Sequence, residues 1–283
     1  MTSLQLKNVF DGPAPRAIKL ERAPLDLVLT QFRIPTLARF NDPNEVKESI
    51  DAMVKSLADS YPILDEQQGV EIILGAGGAS TKPSSRVVVL ADSTRPDGTW
   101  KVSVAQDAVS IFTTAYIDRG DYLTRNREVV AAVRTAFRNQ TFARVGVRYL
   151  NRLSGKQDLE DIASITNSKA APHAELDLPS GVERKIGMTE LVFEYRGTRV
   201  VKTRFGFLPP RARLDPAVAE IDDQTWVLDS DSWQTDVPAD VDSAISVVGE
   251  LAEIDHRLFR WVVDEEAFMA KFGGNYLDEQ SEE

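Results

Sequence analysis

The sequence predicts an α+β protein in which two mostly antiparallel sheets, each backed by helices, form two subdomains with a similar order of elements. Short apolar segments follow one another across tight turns, which is typical of antiparallel strands. A few longer segments carry apolar residues at helical spacing and separate the groups of strands. The length of 283 residues, 42% of them hydrophobic and 27% charged, is that of a globular chain with a substantial core. Helices laid against antiparallel sheets account for all three observations.

The first predicted subdomain spans residues 1–155. It opens with a strand over 25–34, and its first helix begins after Asp42, an N-cap residue that precedes Pro43 at the first helical position. A turn containing Pro and Gly at 95–98 joins two strands into an antiparallel hairpin. The other elements are strands over 69–74, 86–92, 100–105 and 108–114, a Gly-rich loop over 75–85, a helix over 124–139 and a strand over 142–153.

An irregular polar connection over 156–185 follows, because Pro172 and Pro179 interrupt any regular element. The second predicted subdomain spans 186–283. Its elements are a hairpin over 188–196 and 198–208 that turns at Gly197, a strand over 225–230, a long closing helix over 239–261, a short helix that Asp264 caps and Gly273 ends, and an acidic tail over 277–283.

Composition excludes several kinds of site. The chain has no Cys, which excludes disulfides, thiol nucleophiles and thiolate metal sites, and two His residues leave little material for imidazole chemistry. No apolar run reaches the ~18–20 residues that span a bilayer. The first residues lack the layout of a signal peptide. We therefore expect a cytoplasmic protein without a membrane partner and without a cofactor.

Charge is distributed unevenly along the chain. Residues 1–155 carry 20 Lys and Arg against 17 Asp and Glu, whereas residues 156–283 carry 13 against 27. The acidic half would repel phosphates and argues against a protein that wraps nucleic acid. The mildly basic half leaves a local anionic partner open.

Several short segments share one further pattern. They lie at 20–25 leading to Phe32, and at 100–102, 110–116, 144–152, 255–259 and 272–273. With the Arg-x-Gly-x-Arg-Tyr-x-Asn run as the most distinctive of them, the chain resembles, over most of its length, an uncharacterised and sporadically distributed family of bacterial proteins. No activity is established for that family, so the resemblance implies no catalytic residue. Its patchy distribution implies horizontal spread, as for phage-defence and toxin–antitoxin components.

The strongest candidate for a binding site is a set of six arginines on one predicted strand and the helix before it. They are Arg144, Arg148 and Arg152 on the strand and Arg127, Arg134 and Arg138 on the helix. Their spacing places each group of three on one face of its element. Guanidinium groups bind phosphates and carboxylates through paired hydrogen bonds, so the set predicts a site for a nucleotide, a nucleic acid or an acidic protein. Solvated faces, or an internal contact with the acidic second half, are the alternatives.

Two further candidates lie near the end of the predicted strand at 225–230. Asp229 and Asp231 share a strand face and offer the oxygen ligands that Mg²⁺ or Mn²⁺ prefers. Such a pair would serve a metal-dependent nuclease or nucleotidyl-transfer enzyme, and an acidic strand end without a function is the alternative. Trp233 is predicted to be partly exposed and to belong to a protein interface.

The leading hypothesis from the sequence is a non-enzymatic interaction or sensor protein of a bacterial accessory system, with phage defence as its setting. It rests on the lack of a recognisable catalytic constellation, the uneven charge and the resemblance. The predicted partner is another protein. The alternatives are a nucleotide or nucleic acid at the arginine set and a metal-dependent enzyme at Asp229 and Asp231. Replacing Arg144, Arg148 and Arg152 by Glu is expected to abolish partner binding without unfolding the chain.

Overall fold

The computed structural model describes residues 7–12, 14–75, 78–94, 98–167, 176 and 178–277. Three predicted features lie outside these residues: most of the turn at 95–98, the interruption at Pro172 and the tail beyond residue 277. No helix in the described part of the chain is both long enough and apolar enough to cross a membrane.

The described residues form seven α-helices and eleven strands. The helices are α1 (Lys7–Asp11), α2 (Pro43–Leu57), α3 (Arg119–Phe137), α4 (Lys156–Glu160), α5 (Ile162–Ile165), α6 (Val241–Val262) and α7 (Glu265–Phe272). The strands are β1 (Ile18–Leu20), β2 (Leu25–Arg33), β3 (Ile63–Gly75), β4 (Gly78–Ala91), β5 (Trp100–Val104), β6 (Ala108–Thr113), β7 (Thr141–Ser154), β8 (Gly187–Tyr195), β9 (Arg199–Leu208), β10 (Thr225–Pro238) and β11 (Gly274–Tyr276).

The strands form two antiparallel sheets, which confirms the predicted α+β class. The large sheet has nine strands in the order β3-β4-β5-β6-β2-β7-β10-β9-β8, and the small sheet pairs β1 with β11. The assignment of strands to the two sheets differs from the prediction, because the large sheet contains strands from both halves of the sequence. Pairing between strands far apart in the chain leaves no trace in local periodicity, so the sequence pattern could not assign it.

The chain packs into two compact units built from interleaved segments. The first takes its described residues from 1–28, 147–233 and 249–283, and the second from 29–146 and 234–248. Three strands and one helix therefore contribute residues to both units: β2, β7, β10 and α6. That residues 1–155 and 186–283 form two sequential subdomains, each folding independently, stays a prediction.

Local signals place most of the element boundaries. The side chain of Asp42 accepts a hydrogen bond from the Asn44 N–H at 2.9 Å and caps α2, as predicted. Asp264 caps α7, which ends at Gly273 in the left-handed conformation. The helix predicted at 124–139 begins earlier, because Asp118 accepts from the Asp121 N–H and caps α3.

Three expectations about regular structure were wrong. The strands predicted at 69–74 and 86–92 extend into one long hairpin, β3 with β4, so most of the predicted loop at 75–85 is strand. The strand predicted at 225–230 continues to Pro238. The connection at 156–185 contains the short helices α4 and α5. Each difference depends on long-range partners that local composition does not reveal.

Each unit has its own apolar core. In the second unit, Trp100 stacks on Tyr122 of α3 with ring centroids 6.3 Å apart, and Phe32 contacts Phe142 at 5.2 Å. In the first unit, alternate residues of β9 and β10 meet α7 in one buried cluster. Because side chains alternate along a strand, the intervening residues of β9 and β10 project from the opposite face of the sheet. The charged residues of the candidate site lie on that opposite face.

Candidate functional site

The neighbouring strands β7, β10 and β9 each place one charged side chain at the centre of the candidate site. Asp229 on β10 is 2% exposed and lies between Arg148 of β7 and Arg204 of β9. One carboxylate oxygen, Oδ1, accepts from Arg148 Nε at 2.7 Å. The other, Oδ2, accepts from Arg148 Nη2 at 3.2 Å and from Arg204 Nε at 3.1 Å and Nη2. A buried carboxylate is thus matched by two guanidiniums, which is what its burial requires.

Arg148 is held by two further acceptors from the loop 209–224. Its Nη1 donates to Asp215 at 2.8 Å, and its Nη2 donates to the Leu214 carbonyl at 3.2 Å. Burial by itself would lower the pKa of Arg148, but the hydrogen bond and charge of Asp229, followed by the charge of Asp215, raise it above its usual value. Arg148 is therefore a permanently charged and immobilised part of the site.

A cleft of about 150 Å³ opens beside this buried ion pair. We call it the charged cleft; it is lined by Arg148, Lys202, Arg204, Asp229 and Asp231. Lys202 and Arg204 alternate with buried residues on β9 and are both partly exposed. Lys202 pairs with Glu190 of β8 at 2.8 Å. The cleft thus presents cations of β9 at its opening and a neutralised carboxylate at its floor.

The opposite face of β10 binds a second buried carboxylate. Asp255 of α6 is 2% exposed, and its two oxygens accept from the hydroxyls of Ser230 and, at 3.0 Å, Ser232. Burial raises the pKa of Asp255 well above its usual value, the two hydroxyls oppose the shift, and the charges of Asp231 and Asp229 add to it. The surroundings of Asp255 therefore favour its protonated form.

Arg152, the neighbour of Arg148 on the same face of β7, is also engaged within the first unit. Its Nη2 lies 2.5 Å from the carboxylate of Asp26, and its Nη1 donates to the Ala219 carbonyl at 2.6 Å. Burial raises the pKa of Asp26, and the charge of Arg152 opposes that shift. The acidic second half of the sequence thus supplies the acceptors for Arg148 and contributes a carbonyl to Arg152, as one of the alternatives from the sequence anticipated.

The other predicted arginines lie in the second unit. Arg127 is exposed and pairs with Asp242 at 2.6 Å. Arg134 is exposed on α3, and its charge helps to lower the pKa of Asp240 after the hydrogen bonds from Ser243. Arg138 is the C-cap of α3 at φ 47° and donates its backbone N–H to the Arg134 carbonyl. Arg144 is half-buried on β7.

The remaining predictions concern Trp233 and the aspartate pair. Trp233 is half-buried and lies within β10, because the strand continues past its predicted end. Both oxygens of Asp229 accept hydrogen bonds from guanidiniums, so a metal ion bound there would lie close to two positive charges that repel it. In the ranges that the structure describes, no group of three or more His, Cys, Asp or Glu side chains is placed to hold a metal.

Lys202 and Arg204 are site residues that were not predicted from the sequence. Their signal is weak but present: two cations separated by one residue in a strand whose other positions are mostly apolar share one face. Their value as site residues appears only when β9 lies beside β10, because Asp229 then orients Arg204.

Comparison with known proteins adds no assignment. No protein-family model matches the chain, and no curated protein is significantly similar to it.

Proposed function

We propose that this chain is a non-enzymatic binding protein that acts as an interaction or sensor component, and that the charged cleft is its recognition site. The proposal depends on one observation: the buried carboxylate of Asp229 holds the guanidiniums of Arg148 and Arg204 in fixed positions. Because these side chains are already ordered, binding a partner costs little of their conformational entropy, which is the physical basis of preorganised binding.

The chemistry of the cleft supports recognition over catalysis. Guanidiniums stay charged throughout the physiological range and so do not transfer protons. The carboxylate of Asp229 is neutralised by Arg148 and Arg204, which leaves it poorly suited to act as a base or a nucleophile. For the biological setting, we propose a bacterial accessory system such as phage defence, on the strength of the family resemblance.

The test uses the complete protein and a charge reversal at the opening of the cleft. We expect the wild-type chain, purified from its native host, to retain a stoichiometric protein or small-molecule partner that mass spectrometry identifies. Lys202→Glu should lose this partner, because it replaces a cation of the cleft. Lys185→Glu is the matched control, since Lys185 is also an exposed lysine that pairs with a glutamate, Glu183. Equal retention by both variants would contradict the proposal.

Calorimetry with Mn²⁺ separates the proposal from a metal-dependent enzyme at the same place. We expect no saturable Mn²⁺ binding that Asp231→Asn abolishes. If such binding is found together with cleavage of nucleic acid, the enzyme hypothesis replaces the recognition hypothesis.

A further inference from the structure

We infer that the edge strand β8 of the large sheet is a second interaction surface. It binds an extended segment of a partner protein in which two basic residues flank an apolar residue at alternate positions. This inference goes beyond the charged cleft, because it depends on the open edge of the sheet and on the side chains of β8. Adding a strand to such an edge is a recurrent mode of peptide recognition.

The position of β8 leaves one of its two edges open. The strand is the last in the order of the sheet and, among the described strands, pairs only with β9, in an antiparallel register without a break. Between Glu190 and Tyr195, its backbone makes no hydrogen bond with any described segment other than β9. Alternate N–H and C=O groups of this stretch therefore point away from β9, and such a row can pair with one more strand.

β8 also lacks the features that usually protect an edge strand from pairing. Natural edge strands are often short, or they carry Lys, Pro or a bulge. The nine residues of β8 include no Lys, Arg or Pro, and the register with β9 shows no bulge. Val192 is 58% exposed at the centre of the strand, although its β-branched side chain packs best between neighbours on a sheet. The strand is thus suited to pairing.

The side chains of β8 form two sets, because they alternate along the strand. Phe193 belongs to the set on the side of α1, where it packs against Phe10 with ring centroids 5.5 Å apart. Glu190, Val192 and Glu194 lie on the other face and are exposed. Residues directly opposite each other in an antiparallel pair share a face, so an added strand would place its own alternate side chains beside these three.

The charge of the exposed face favours a basic partner. Glu194 makes no ion pair with any residue of the described ranges, and Glu190 pairs with Lys202 of β9 at 2.8 Å. The segments that form the first unit carry 19 Lys and Arg against 27 Asp and Glu, so the wider charge is also negative. Opposite charges that face each other across two strands stabilise their pairing. We therefore assign a basic residue of the partner to each glutamate and an apolar residue to Val192.

A second copy of this chain suits the same edge less well. Its β8 would bring the same two glutamates to the pairing and no basic residue to match them. The net charge of −11 also opposes the approach of two identical molecules. The observations therefore favour an extended segment of a different protein.

The test is an NMR titration of the complete ¹⁵N-labelled protein with the synthetic peptide acetyl-Thr-Lys-Thr-Val-Thr-Lys-Thr-amide. We expect saturable shifts of the β8 amide signals and slower hydrogen exchange at alternate β8 amides, because the added strand covers them. The same peptide with Glu in place of both Lys residues should bind at least about tenfold more weakly, since like charges then face each other. The basic peptide N-methylated at Val and at the preceding Thr should also lose binding, because one of the two methyl groups removes a main-chain donor in either register.

Variants of β8 locate the binding. Val192→Lys adds a cation at the centre of the edge, so the basic peptide should bind at least about tenfold more weakly. Val182→Lys is the matched control and should leave binding unchanged, because Val182 is similarly exposed, at 52%, but lies outside β8. Circular dichroism shows whether each variant is folded. Glu194→Lys, with the same expected loss, keeps the test valid should Val192→Lys fail to fold.

Several results would overturn the inference. If the basic peptide shifts no β8 signal, or binds Val192→Lys as tightly as wild type, β8 is not a docking surface. If the acidic or the N-methylated peptide binds as tightly as the basic one, the partner's charge or the added strand is wrong. If sedimentation shows a wild-type dimer that Val192→Lys dissociates, a second copy occupies the edge. None of these results affects the charged cleft, which is tested separately by the retention of a native partner in Lys202→Glu.

Discussion

At the scale of single residues, two buried aspartates on either side of β10 are stabilised in different ways. Asp229 accepts from two guanidiniums, whereas the carboxyl group of Asp255 meets two hydroxyls. Ser230 and Ser232 donate to the two carboxyl oxygens of Asp255, and the Ser232 hydroxyl also lies 3.3 Å from the Leu251 carbonyl. These two neutral hydroxyls oppose the effect of burial only in part, so the pKa of Asp255 is raised well above its usual value and the protonated form is favoured.

We therefore expect Asp255→Asn to stabilise the protein at neutral pH. The amide is uncharged, like the protonated acid, and it offers one oxygen that accepts from a serine hydroxyl and one NH2 group that donates to the other. Because the pKa of Asp255 is raised in the folded state, its contribution to stability is fully present below the unfolded-state pKa and is lost as the pH rises toward the folded-state pKa. In that interval the unfolding free energies of variant and wild type should diverge by about 1.4 kcal/mol per pH unit.

Urea denaturation over a series of pH values measures this divergence. Asp223→Asn, which changes an exposed aspartate, is the control and should alter stability by no more than about 0.5 kcal/mol. A constant difference between Asp255→Asn and wild type across the series would show that Asp255 carries no proton when folded.

The predicted arginines also differ, residue by residue, in how much each contributes to the free energy of unfolding. Removing Arg148 leaves the buried Asp229 with one guanidinium, so we expect Arg148→Met to cost about 3–5 kcal/mol of unfolding free energy. Arg127→Met, which breaks an exposed pair with Asp242, should cost at most about 1 kcal/mol. Chemical denaturation compares the two variants. Equal small losses would mean that Asp229 is neutralised in another way.

The expectation that three glutamates in place of Arg144, Arg148 and Arg152 leave the fold intact does not suit this environment. The substitution Arg148→Glu would place a second negative charge against the buried carboxylate of Asp229. Loss of binding by that triple variant would report unfolding. Charge reversal at Lys202 tests the site without this difficulty.

At the scale of elements, two arginines of β7 hold the loop 209–224 in place through hydrogen bonds. Arg148 bonds to the loop at Leu214 and Asp215, and Arg152 bonds to it at Ala219. Between these points Val218 is 3% exposed. An irregular loop held by side chains in this way keeps its conformation only while those side chains are present.

We expect Arg152→Met to loosen this loop and to speed its cleavage by trypsin. The sites are Arg211 and Arg213, which are exposed within the loop. Cleavage should be several-fold faster because removing Arg152 frees the Ala219 carbonyl and raises the population of open conformations. Cleavage after Arg196, in the exposed turn between β8 and β9, is the internal reference and should keep its rate. Mass spectrometry of timed digests measures both, and an unchanged ratio would show that Arg152 does not hold the loop.

At the scale of the whole molecule, the second unit depends on a late segment of the chain. Residues 234–248 belong to that unit, and among them Val237, Ala244 and Val248 are fully buried. The Ala239 N–H also donates to the Gln140 carbonyl at 2.9 Å. A fragment that ends at residue 155 lacks these groups and exposes the apolar surface that they cover.

We accordingly expect the fragment 1–155 to lack a cooperative thermal transition when it is produced alone. Co-expression with 156–283 should restore the transition of the intact chain, because it returns the missing segment. Circular dichroism melting of the fragment, the pair and the intact protein measures this. A fragment that melts cooperatively by itself would establish the sequential subdomains predicted from the sequence.

The sequence by itself determined the local structure of this protein. Asp42 with Pro43, and Asp264 with Gly273, mark helix ends through hydrogen bonds made within a few residues. The alternation along β7 likewise predicts which arginines share a face. Such signals survive in the sequence because both partners lie within one turn or one strand.

Only the tertiary structure decided which charged side chains neutralise one another and which line the charged cleft. Arg148 meets Asp229 across 81 residues, and this pairing depends on β7 and β10 lying side by side in one sheet. Because β9 also lies beside β10, Lys202 and Arg204 line a cleft together with Asp229. The arginine that the sequence makes most prominent binds a buried carboxylate within the protein, while the less conspicuous cations Lys202 and Arg204 line the charged cleft. Local patterns cannot show this, because charge neutralisation is a property of residues brought together by the packing of distant strands.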